Sequence, residues 1–122
     1  MKSTHLLEEL EFHDLAPFAE PLLVDKDTRI LRWMFKPGQG IDEHTLPNST
    51  LYLVILKGRG IFSSNGEAEQ EFGANTLVTF KTDEPHTVRA LDEGLVFVAF
   101  LQPILIPQVD PLVGDKETTI SN

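Results

Sequence analysis

From Leu22 to Pro103 no stretch of the chain runs far enough between turn-forming residues to hold a helix, and that punctuation decides the fold class. The breaks fall at Asp25-Lys26-Asp27, Pro37-Gly38-Gln39-Gly40, Pro47-Asn48-Ser49, Gly58-Arg59-Gly60, Asn65-Gly66, Gly73-Ala74-Asn75, Lys81–Pro85 and Asp92-Glu93-Gly94. Between them lie Leu22–Val24, Thr28–Phe35, Ile41–Leu46, Leu51–Lys57, Ile61–Ser64, Glu67–Phe72, Thr76–Phe80, His86–Leu91 and Leu95–Leu101, which predict roughly nine short strands. Asn65-Gly66 is the strongest hairpin signal, because a type I′ turn needs positive φ at both central residues. Consecutive hairpins leave no place for the crossover helices of a parallel α/β design, so an all-β barrel or sandwich is expected.

This barrel occupies residues 22–103. Residues 1–21 form an N-terminal leader, in which Thr4 could cap a short helix carrying Leu6, Leu7 and Leu10 before Pro17 ends it. Residues 104–122 form a C-terminal extension, apolar at Ile104, Leu105 and Ile106 and polar from Asp110 onward. At 122 residues the chain is long enough to close one core unaided.

Charge and composition remove several functions. A formal charge of −9 repels phosphate backbones and anionic lipid, so neither nucleic acid nor a membrane surface is an expected partner. The absence of cysteine removes disulfides, thiolate ligands and a cysteine nucleophile together. Acids in the first dozen residues stand where a signal peptide needs an apolar core, and the expected location is the cytoplasm. There is no G-x-S-x-G elbow, P-loop or H-E-x-x-H, and no glycine pair opens a helix as a dinucleotide fingerprint requires.

Two histidines head separate strand pairs: His44 lies between Gly38 and the apolar run ending at Gly58, and His86 follows Gly73. In this order and spacing the chain resembles the cupins, a superfamily of small jelly-roll or double-stranded β-helix barrels. Gly38, His44, Leu46, Leu51 and Gly58 fall on the spacing of the family's first motif, G-x5-H-x-H-x(3,4)-E-x6-G. Gly73 and His86 match the second, with a gap two residues longer than usual, Asp83 in place of a glycine and Ala90 in place of an asparagine. The resemblance implies a barrel whose metal-holding members use three histidines and a glutamate. Only His44 and His86 carry over, since Leu46 and Leu51 stand at the other two positions.

Asp42, His44 and Leu46 alternate along one predicted strand and would share a face. With His86 opposite, His44, His86 and Asp42 could compose a two-histidine, one-carboxylate set of the kind used by non-haem iron. Alternatively, Asp42 is a solvated acid at a strand end, and the two histidines line a wet pocket without metal. Leu46, Leu51, Leu53, Ile55, Val88 and one face of Leu95–Leu101 would line the lumen, with Trp33 as a candidate wall. Tyr52 would face the opposite layer.

Two functions follow as expectations. One is binding of a small, largely apolar molecule, with His44 and His86 at the pocket mouth and Leu46, Leu51, Leu53, Trp33 and Val88 around it. The alternative is an enzyme of the dioxygenase or isomerase kind, with one Fe, Mn, Ni or Zn ion at His44, His86 and Asp42. The run LYLVILK at Leu51–Lys57, apolar on both faces, and the apolar segment Ile104–Ile106 suggest a homodimer.

Overall fold

The computed structural model describes residues 1–103, so the expectations that rest on Ile104–Ile106 lie outside the described residues. The described chain is seven antiparallel strands and no helix: β1 (Phe18–Val24), β2 (Arg29–Phe35), β3 (Gly40–His44), β4 (Ser49–Ser64), β5 (Gln70–Gly73), β6 (Thr76–Phe80) and β7 (His86–Pro103). The leader carries one hydrogen-bonded turn, Glu8 N to His5 O, in place of the expected helix. β1 begins four residues ahead of the expected Leu22, because Phe18 to Pro21 pair with Met34 to Leu31.

The strands are fewer than expected because two of them are long. Gly58-Arg59-Gly60 and Asp92-Glu93-Gly94 do not reverse the chain. They are bends inside β4 and β7, whose pairing continues in the same antiparallel sense on both sides. The N-terminal half of β4 pairs with β6 and with the C-terminal half of β7, which β2 and β1 extend. Its C-terminal half pairs with β5 and with the N-terminal half of β7, which also takes β3. The two bends meet: a Cβ on Gly58 (φ +82) would sit 2.1 Å from the Gly94 carbonyl oxygen, so only glycine admits that contact.

The two layers bury one apolar core. Leu51, Leu53 and Ile55 of β4, with Phe35 and Phe97, pack from one side, and Phe62, Val88 and Ala90 from the other. The expected alternation in β4 holds: Leu51, Leu53 and Ile55 are buried, while Tyr52 and Val54 between them are half-buried on the outer face. The Asn65-Gly66 turn forms as expected, with φ of +53 and +72 and Glu67 N donating to Ser64 O at 2.8 Å. Pairing beyond it resumes only at Phe62 and Gln70, so β5 is shorter than the expected run.

On β2, Leu31, Trp33 and Phe35 face the lumen, which leaves Arg32 on the outer face with Ile30 and Met34. Arg32 is nonetheless 3% exposed. The leader folds over it: its guanidinium donates to the carbonyls of Leu6 and Glu8 at 3.0 Å, and its Nε donates to Glu20 at 2.9 Å. A second contact to Glu20, 2.5 Å, completes a forked ion pair that ties leader and β1 to the sheet.

Candidate functional site

His44 and His86 are brought together by β3 and the start of β7. They are register partners, their ring centroids are 4.3 Å apart, and the rings are inclined at 57°. Phe80, from the end of β6, stacks on His86 at 4.5 Å, and His86 is only 3% exposed while His44 is half-buried.

The approach to His86 is fixed by the loop before it. Glu84 accepts from the Lys81 N–H at 2.7 Å and from the Ser64 hydroxyl, and these bonds hold its carboxyl below the usual carboxylate range. Asp83 lies at φ +61, which is why a glycine is usual at that place in the motif: the backbone there is left-handed, and aspartate is among the few other residues that tolerate it.

Each histidine is locked in one tautomer by its own backbone. His44 Nδ1 lies 3.2 Å from the Asp42 carbonyl and His86 Nδ1 lies 3.1 Å from the Glu84 carbonyl. A carbonyl oxygen only accepts, so each Nδ1 carries the proton, and in the neutral ring Nε2 keeps its lone pair. Neither Nε2 has a hydrogen-bond partner among the described residues, and no buried side-chain nitrogen is sealed off without one, so His86 Nε2 opens into the cavity. Burial pushes the His86 pKa below the ordinary value of 6.5, with the nearby His44 acting in the same direction and the Glu84 carbonyl opposing. His86 is therefore a neutral acceptor at pH 7.

Below these rings is a cavity of about 210 Å³, lined by Leu46, Leu51, Leu53, Trp33, Val88, His44 and His86, all expected, together with Phe97, Ala99 and Leu101. Ile55, expected in the lining, is fully buried in the core beneath it. Arg29, Leu31 and Ile41 also line the cavity and were not among the expected residues. For Arg29 the signal was present, since it alternates in step with Leu31, Trp33 and Phe35 along β2.

Asp42 does not join the histidines. The register of β3 slips between Ile41, opposite Val88, and His44, opposite His86, so three steps on β3 match two on β7. The extra residue breaks the period-two rule on which the shared face of Asp42 and His44 depended. Ile41 and His44 line the cavity, while Asp42 and Glu43 border a separate outer groove with Glu69 and Arg89.

The donor set therefore does not fit a mononuclear divalent ion. Among the described residues no group of three or more histidines and carboxylates converges, and leucines occupy the two remaining motif positions. Two imidazoles fall short of the three protein ligands that catalytic sites supply.

The architecture matches solved structures closely. The chain superposes on an RmlC-like cupin protein from Desulfovibrio desulfuricans with a TM-score of 0.75 and 29% identity, over 86% of this chain and 99% of that one. An uncharacterized conserved protein with a double-stranded β-helix domain from Klebsiella pneumoniae gives a TM-score of 0.78 at 18% identity, over 84% and 90% of the two chains. An RmlC-like cupin family protein from Methanocaldococcus jannaschii gives 0.66 at 19%, over 80% and 92%. No protein-family model and no curated protein matches the sequence. The chain is a double-stranded β-helix barrel, and by that fold it belongs to the cupin superfamily. No helix among the described residues is long and apolar enough to cross a membrane.

Proposed function

We propose that the chain binds a small, largely apolar molecule with one polar end, seated in the barrel cavity with that end against His44 and His86. The observation that carries this reading is the pairing of an apolar chamber with two open imidazole nitrogens at its mouth, where leucines replace two would-be metal ligands. At about 210 Å³ the chamber is smaller than the roughly 300–1,000 Å³ of drug-sized sites, which favours a compact guest. Trp33 is the only tryptophan and lines the cavity, so its fluorescence reports occupancy. In a screen of small alcohols, phenols and acids, a ligand of this site should shift that emission and lose about tenfold or more in affinity in the His44→Ala/His86→Ala variant. Ligands that bind the double variant as well as the parent would end the reading.

The alternative, a metal-dependent dioxygenase or isomerase, has two donors in its support where three or four are needed. Stoichiometric Fe, Mn, Ni or Zn in the purified protein would favour it. A second copy of the chain is proposed to cover the outer face of the first layer, where Leu23, Ile30, Phe100 and Tyr52 form one cross-strand row beside Leu77 and Val54. Leu77, Leu23 and Phe100 are exposed there, and light scattering at the mass of a monomer would reject the dimer.

A further inference from the structure

Resting on that binding role, the geometry points to a guest that is a small carboxylic acid carrying a second, hydrogen-bond-donating group, with Arg29 taking the carboxylate and the histidine pair accepting from the donor. Three observations combine. First, Arg29 lines the same cavity as His44 and His86, and it is the one permanently charged residue to do so.

Second, the strand register places it at the mouth and not at the floor. Arg29 pairs with Leu101, Leu101 with Leu51, and Leu51 with Phe80, forming one row across the first layer. Phe80 stacks on His86, which pairs with His44, so the row that begins at Arg29 ends at the imidazoles. Leu31, Trp33 and Leu53 lie further in, and the apolar body of the guest packs there.

Third, the Arg29 guanidinium makes no ion pair or hydrogen bond with any described residue, although the chain carries 19 acids. In the preceding turn, Asp25 is engaged with the backbone N–H groups of Asp27 and Thr28 at 2.8 Å each. A guanidinium presents only donors, in a fork matched to a carboxylate. The two Nε2 atoms are acceptors, so they match a hydroxyl or N–H and leave a carboxylate to Arg29. A purely apolar alcohol would use the imidazoles alone, and a simple fatty acid would use Arg29 alone. Only a molecule with both groups satisfies all three side chains.

The test compares acids with their neutral amides: para-hydroxybenzoate against para-hydroxybenzamide, and leucic acid against its amide, each titrated into the full chain by Trp33 fluorescence and calorimetry. At least one acid should bind more tightly than its amide by about tenfold or more. Arg29→Gln should weaken each acid more than its amide and so remove that preference, and Arg29→Lys should restore part of it. Raising salt should weaken the acid and not the amide. Amides that bind as well as acids, with no response to Arg29→Gln, would overturn the acid assignment and leave the binding role intact. Failure of every acid and amide to bind at millimolar concentration would count against both. Arg29 lies at an exposed strand start, and circular dichroism of each variant separates loss of the site from loss of the fold.

Discussion

Replacing Leu46 by His and Leu51 by Glu should turn the chamber into a metal site, because both leucines line the cavity that the two imidazoles open into. The cost can be worked out before any metal is added. Leu51 is 7% exposed, so losing its burial removes about 1.5–3 kcal/mol, and the introduced carboxylate has its pKa raised by the same apolar surroundings. Leu46 is half-buried and contributes less. For a chain of this length roughly 2–3 kcal/mol corresponds to a fall of about 10 °C in melting temperature. Four donors, three imidazoles and a carboxylate, then satisfy a tetrahedral or open octahedral ion. At a thousandfold excess over its Kd, a metal returns about 4 kcal/mol by mass action, enough to bring the variant above the parent. Differential scanning calorimetry with Zn, Ni and Mn, with a chelator control and elemental analysis, measures this directly. The parent should show no comparable stabilisation. A variant that folds normally yet takes up no metal would refute the placement of Leu46 and Leu51 beside the histidines, and with it the geometry of the mouth.

Two further outcomes follow from single residues. His86 has a folded pKa below its unfolded value, so its contribution to stability is fully present above about pH 6.5 and is lost as pH falls through the lower, folded pKa. Urea midpoints should therefore fall between pH 7 and 5 in the parent and fall less in His86→Gln; identical slopes would show that His86 does not titrate with folding. Arg32→Met leaves Glu20 and the Leu6 and Glu8 carbonyls without their donor and should cost about 3 kcal/mol, with earlier proteolysis of the leader. Unchanged melting and digestion would show that the leader is held by other contacts.

What the sequence made legible was whatever depends on neighbours along the chain. Turn residues and alternating apolar positions were enough to predict an all-β barrel, and motif spacing placed His44 and His86 in it. Glycine, however, looks the same in a turn as at a bend within a strand. Gly58 and Gly94 carry the signature of turns because the contact that distinguishes the two, each against the other across two strands, is not a local property. The same limit governed Asp42. Period two holds only while register holds, and the slip in β3 is set by how it meets β7, so an acid two residues from a histidine need not share its face. Arg29 illustrates the reverse case. It kept the parity of Trp33 along an unbroken strand, so its inward face could be read from the sequence, yet a charged residue at a strand start is ordinarily solvated and gave no reason to look there. Its importance emerges only when the rows across the sheet are followed from β2 to the histidines. In this chain the local pattern sets which residues face inward, and the inter-strand register sets which of those meet. The chemistry of the mouth belongs to the second of these.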